Sequence, residues 1–250
     1  MASRIFFITG TDTGVGKTVF AVFVTQHLRR RGFRVAALKP VCSGDREDAR
    51  LLREATGKAL PLEEVNPWHF RAPLAPLLAA RKEGRRVCLD EVVAHVRTVA
   101  QFRGRALTTC DQPTPDPSKE GSDARWLVPL LGGVRGGLAG RGIVGNRFDI
   151  IVVEGAGGLL SPLGEDFDSR DLIKALGATP IIVCPNKLGA VSQARLTVEA
   201  LPRAAAKKAR IILVNPARPD RASKTNPELL KEFVDQNRIR VMPWLGRKAR

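Results

Sequence analysis

Residues Gly10-Thr11-Asp12-Thr13-Gly14-Val15-Gly16-Lys17-Thr18 read as the pattern G-x-x-x-x-G-K-[ST], and their setting narrows what the chain can become. An apolar run, Ile5-Phe6-Phe7-Ile8-Thr9, comes before them, and a periodic segment with Val19, Phe20, Val22, Phe23, Val24 and Leu28 follows. Strand, glycine-rich turn and helix in that order form a cradle for phosphate. Successive backbone N–H groups can curl around phosphate oxygens, and glycines permit the close approach and positive φ this needs. The helix N-terminus adds partial positive charge. Lys17 can reach the outer phosphates, the Thr18 hydroxyl can hold Mg²⁺, and Gly14, Val15 and Gly16 line the turn. The chain is expected to bind a nucleoside triphosphate.

Beyond the loop, apolar runs alternate with helical periodicity. Strands are expected at Arg4–Thr9, Arg34–Leu38, Asp149–Glu154, Pro180–Cys184 and Arg210–Val214, with a weaker one at Arg240–Met242. Several are continuously apolar, as strands covered on both faces must be. Helices are expected at Lys17–Arg31, Glu47–Thr56, Leu74–Glu83, Asp90–Arg103, Gly189–Leu201 and Pro227–Gln236. The pattern predicts an α/β fold: a doubly wound, mainly parallel sheet with helices on both faces, of P-loop NTPase type, with its site at the carboxyl ends of the strands. With 250 residues, 44% of them hydrophobic, the chain can fill one large domain over residues 1–250.

A low-complexity insertion at about 104–146 breaks this rhythm, being rich in Gly, Pro and Arg. With suitable codons, the segment from Gln112 to Gly121 reads on the opposite strand as the segment from Pro129 to Leu138. This predicts an in-frame palindromic insertion. Sequencing the gene checks it, and two stretches without near-complementarity would refute it. No catalytic role is expected there.

Net charge is +16, from 41 basic and 25 acidic residues. The basic residues are dispersed, there is no Tyr, and no nucleic-acid motif appears, so a solvated basic surface is favoured over a nucleic-acid site. Cys42, Cys88, Cys110 and Cys184 lack metal or redox spacing and are expected to be thiols. His27, His69 and His95 show no ligand spacing and suit surface or capping roles. No segment is apolar enough to span a bilayer, and the first strand begins too soon to leave room for a leader. A cytoplasmic location is expected.

Five further blocks accompany the loop: Lys39-Pro40-Val41-Cys42-Ser43-Gly44, Val65-Asn66-Pro67-Trp68-His69-Phe70, Val153-Glu154-Gly155-Ala156-Gly157-Gly158, Asn186-Lys187-Leu188-Gly189 and Met242-Pro243-Trp244-Leu245. Together, and in this order, they resemble ATP-dependent dethiobiotin synthetase over most of the chain outside the insertion. The resemblance implies a ligase that takes ATP, CO₂ and 7,8-diaminononanoate to the ureido ring of dethiobiotin, through a carbamate and a carbamic–phosphoric anhydride. It assigns Lys17 and Lys39 to the carbamate and γ-phosphate oxygens, and Thr13 and Ser43 to the diamine and carbamate. Thr18, Asp48 and Glu154 match Mg²⁺ positions, and Glu154 also lies against the nucleotide. Asp45 or Glu47 could take the place of Asp48, and Glu154 could instead cap a helix. Thr13 could be a turn residue and Ser43 a helix cap.

The resemblance further implies that Gly157 and Gly158 offer N–H groups to substrate. It also implies that Leu188, Gly189, Ala190 and Ser192, at a helix start, hold the substrate carboxylate across a homodimer interface, which helix-terminal amides suit. Asn215 matches a residue that contacts adenine, although an Asn-Pro turn would also explain it. Because the chain stops soon after Trp244, weaker ATP binding or relaxed base preference is expected. A partition-type or septum-positioning switch ATPase is the alternative, but its loop carries an additional lysine where this chain has Thr11-Asp12-Thr13. A corrinoid amide ligase would need a glutaminase domain for which there is no room.

Overall fold

Ile150, Ile151, Val152 and Val153 are each no more than 1% exposed, which a strand achieves only when both faces of its sheet are covered. The computed structural model describes residues 2–101 and 147–244 and places that segment inside a six-stranded, wholly parallel sheet. In chain order the elements begin β1 (Arg4–Gly10), α1 (Lys17–Arg30), β2 (Val35–Leu38), β3 (Val41–Ser43) and α2 (Glu47–Ala55). They continue with α3 (Leu62–Val65), β4 (Trp68–Phe70), α4 (Pro76–Lys82), α5 (Leu89–Gln101) and β5 (Ile150–Gly158). Last come α6 (Ser169–Leu176), β6 (Thr179–Pro185), α7 (Ala190–Glu199), α8 (Arg203–Ala206), β7 (Arg210–Val214), α9 (Arg221–Lys231) and β8 (Ile239–Met242).

The strand order is β2-β5-β1-β6-β7-β8, with helices on both faces. β1 therefore lies inside the sheet, and the loop leaving it opens into the crevice where such sheets bind ligands. The core joins Phe7, Phe20, Leu28, Leu38, Leu52 and the strand interiors into one cluster. Each such side chain contributes roughly 1.5–3 kcal/mol by leaving water.

All six expected strands are present, several with shifted ends. β5 runs on to Gly158, four residues beyond its expected end. The last expected helix is corrected: α9 starts at Arg221, because the Asp220 carboxylate accepts the Ser223 N–H at 2.7 Å and caps it, leaving Pro227 in the helix interior. The unexpected α6 is announced by a capping box, Asp168 accepting the Asp171 N–H while Asp171 accepts that of Asp168. Gly177, at φ 63°, closes it. A second sheet pairs β3 with β4 in parallel, Cys42 against His69. The segment at 104–146 and the basic tail at Arg247, Lys248 and Arg250 lie outside the described residues. No described helix is long and apolar enough to cross a membrane.

Candidate active site

Register does most of the assembly. Leu38 pairs with Val153, so the next residues along, Lys39 after β2 and Glu154 within β5, arrive side by side. Ile8 pairs with Glu154 on the other side, which brings the carboxylate next to the loop leaving β1. Lys39 Nζ lies 2.7 Å from Glu154 Oε1 and 2.5 Å from Asp48 Oδ2. The Thr18 hydroxyl donates to the same Glu154 oxygen at 2.8 Å. The Lys39 and Glu154 side chains are 6% and 0% exposed, so the pair is cut off from water.

The electrostatics follow from that burial. Desolvation works against the Lys39 charge, but Glu154 and Asp48 more than offset it and hold the ammonium above its ordinary range. Burial likewise opposes ionisation of Asp48, yet the Lys39 charge and hydrogen bond leave its pKa lowered. Lys17 fares differently. Burial, with repulsion from Lys39, brings its pKa down to about 8 despite attraction to Glu154. Its Nζ donates to the Asp12 carbonyl at 2.7 Å.

The phosphate loop needs one correction of spacing. Five residues separate Gly10 from Gly16, one more than the pattern allows, so Thr11 takes the place of the pattern's first glycine. Thr11 still donates its N–H to the Val183 carbonyl at 3.1 Å, continuing the edge of β1 before the turn begins. Gly10 cannot carry a side chain, since a Cβ there would lie 2.7 Å from Val15 and 2.9 Å from the Asp12 carbonyl. Gly14 and Gly16 have φ of 71° and 97°.

Of the three candidate acids, Asp48 is the one drawn into this cluster. Asp45 instead accepts the Glu47 N–H at 2.9 Å, and Asp45 and Glu47 are both exposed. Glu154 caps no helix, since it lies within β5, and Ser43 caps none, since it lies in β3 and donates its hydroxyl to the Leu74 carbonyl. Thr13 sits in the turn with its N–H on Asp12 Oδ1, and its hydroxyl faces Gly157. The Gly158 N–H donates to Ser161 Oγ at 2.9 Å. The Ala190 N–H donates to the Lys187 carbonyl at 3.0 Å. Gly189, at φ 89°, opens α7; Leu188 is 84% exposed beside it, and Ser192 is also exposed. Asn215 follows β7, whose last residue, Val214, packs near Gly16 of the phosphate loop.

Several contributors escaped the sequence reading. Asn66, 1% exposed, donates from Nδ2 to the Lys39 carbonyl at 2.7 Å and accepts from Arg46 Nε at 3.1 Å, fastening the Lys39 backbone. The Asn-Pro pair at 66–67 and the basic Arg46 were its signals. His69 holds the Gly44 carbonyl at 2.7 Å, and His95 meets the Trp68 ring edge-on. The side chains of Asn186, Asn215 and Asn226 meet in one hydrogen-bonded group.

A divalent cation fits the cluster. Glu154 Oε2 is buried and has no hydrogen-bond partner among the described residues, an orphan that a cation would satisfy. The described residues hold no group of three or more His, Cys, Asp or Glu suited to a metal. A cation here would rely on Asp48, Glu154, the Thr18 hydroxyl and oxygens from water or ligand, a set that suits Mg²⁺.

Comparison with known proteins identifies the family. A family model described as "AAA domain" matches residues 4–107 and 143–247, two stretches that flank the atypical segment. The ATP-dependent dethiobiotin synthetase BioD of Anaeromyxobacter dehalogenans (strain 2CP-C) is 34% identical over 255 residues, covering 99% of this chain and 94% of that protein. That of Bacillus subtilis (strain 168) is 31% identical over 249 residues, covering 97% and 88%. Among solved structures, a putative plasmid partition protein from Borrelia burgdorferi bound to AMPPNP covers 99% of this chain and 87% of its own. Its identity is 14% and its TM-score 0.43, a likeness too weak to bear on function. Similarity to the two synthetases runs nearly end to end, and the chain belongs to the ATP-dependent dethiobiotin synthetase family.

Proposed function

We propose that this protein closes the ureido ring of dethiobiotin from 7,8-diaminononanoate and CO₂ at the expense of ATP, as a step of biotin synthesis. The observation that carries the proposal is the Lys39 ammonium, buried between Glu154 and Asp48 one strand from the phosphate loop. One amine of the substrate adds CO₂ and loses a proton to become a carbamate. A carbamate oxygen attacks the γ-phosphorus, the bond to the bridging oxygen breaks, and ADP leaves. The second amine then attacks the carbamoyl carbon of the mixed anhydride; phosphate departs, a proton is lost, and the ring is closed.

Each step gathers negative charge on oxygen, which fixed cations in a dry site stabilise strongly. Lys17 meets the phosphate oxygens, and Lys39 meets the carbamate and the transferring phosphoryl group. Thr13 and Ser43 orient the diamine. Thr18, Asp48 and Glu154 would hold Mg²⁺, which would neutralise phosphate charge. The N-terminus of α7, with Leu188, Gly189, Ala190 and Ser192, takes the substrate carboxylate from the second subunit of a homodimer. The exposed Leu188 and Leu196, at 84% and 68%, supply apolar surface for that contact. The protein acts in the cytoplasm.

Purified protein with MgATP and bicarbonate, with and without the diamine, tests the reaction. Diamine-dependent ADP release with a ureido product is the expected result. ATP turnover that ignores the diamine but rises with DNA would sink the ligase reading and favour a switch ATPase.

A further inference from the structure

Two backbone carbonyls decide how three asparagine amides are turned. A carbonyl only accepts, so the Asn186 atom 2.8 Å from the Ser223 carbonyl must be its NH₂, and so must the Asn226 atom 2.9 Å from the Lys187 carbonyl. The Asn226 NH₂ also donates to Asn186 Oδ1 at 3.0 Å, consistent with both assignments. The second proton of the Asn186 NH₂ points at Asn215, which must answer with its oxygen, at 2.7 Å. The Asn215 NH₂ then faces away from the group.

The Ser223 carbonyl is open to Asn186 for a reason built into the helix. Pro227, four residues on and inside α9, has no N–H to give it. Asn186, Ser223 and Asn226 are 1%, 4% and 7% exposed, so water competes poorly for these bonds. The Asn215 N–H is fixed too, donating to the Met242 carbonyl at 2.9 Å.

We infer that Asn186 is a specificity-determining residue, locking the Asn215 amide in the one orientation that distinguishes adenine from guanine. The inference rests on the reading, implied by the family resemblance, that Asn215 meets the nucleotide base. An amide with NH₂ and oxygen in fixed places pairs with adenine N7 and its amino group together. Guanine sets a carbonyl where adenine has the amino group, and the locked Asn215 oxygen would face it without a hydrogen. Asn186 acts only through Asn215 and touches no substrate. The arrangement favours ATP over GTP.

The test is direct displacement of a fluorescent ATP analogue by ATP, GTP and CTP, which requires no diamine. The wild-type protein is expected to bind ATP at least about tenfold more tightly than GTP, and Asn186→Leu is expected to lose most of that ratio. A folded Asn186→Leu protein with the wild-type ratio, or a wild-type protein without preference, overturns the inference. If Asn186→Leu does not fold, Asn186→Asp serves: it keeps the side-chain shape, removes both N–H donors to Asn215 and the Ser223 carbonyl, and should shrink the ratio. An unchanged ratio there overturns it equally. Absence of diamine-dependent turnover with the base ranking intact would instead count against the reaction proposed above.

Discussion

Replacing Lys39 by Met is expected to lower diamine-dependent ADP release on the order of a thousandfold, the scale of losing one fixed charge aimed at a developing oxyanion. Nucleotide binding should survive, because Lys17 and the loop amides remain. The change also strands Glu154, 0% exposed, without its ion-pair partner, which costs about 3–5 kcal/mol when a buried pair is broken on one side. Lys39→Arg separates the two effects. It keeps the charge and should recover much of the stability, but its planar fork cannot reproduce a compact ammonium and the rate should stay low. Steady-state rates and thermal melts of both variants check this. Lys39→Met activity within tenfold of wild type would refute the charge clamp.

The second large effect is on pH. Lys17 titrates at about 8 before nucleotide arrives, so above that pH it is mostly neutral. Phosphate oxygens favour its charged form, and binding must then take up a proton. Apparent ATP affinity should therefore fall as pH rises, by about tenfold between pH 7 and 9. Calorimetry in buffers of different ionisation enthalpy reads the proton directly. An affinity flat across that range, with no uptake, would show that Lys17 is charged throughout. The same shift has a stability consequence of defined sign. The folded-state pKa lies below the unfolded value of 10.5, so the unfolded chain holds more protons between about 8 and 10.5. Over that window the ligand-free protein should become more stable as pH rises.

The sheet was legible because its strands are apolar runs between loops, and because glycine and proline punctuate them. Helix α6 was hidden by its brevity, although Asp168, Asp171 and Gly177 spelled out both of its ends. α9 was misplaced because Pro227 suggested a first turn, whereas a buried asparagine satisfies the carbonyl that the proline leaves open. Within the site, Thr18 was named by the loop motif, Glu154 by a charge ending an apolar strand, and Lys39 and Asp48 by the family resemblance. The supports could not. Asn66 and Asn186 act through hydrogen bonds between segments distant in sequence, and no local pattern distinguishes such an asparagine from one in a turn.

β2 is four residues long and, among the described residues, lies at the rim of the sheet with β5 as its one neighbour. The lysine that follows it thus stands on an edge strand, whereas the phosphate loop springs from a strand flanked on both sides. A partial loosening of that rim would separate the two lysines, leaving a protein still able to hold its nucleotide but unable to use it.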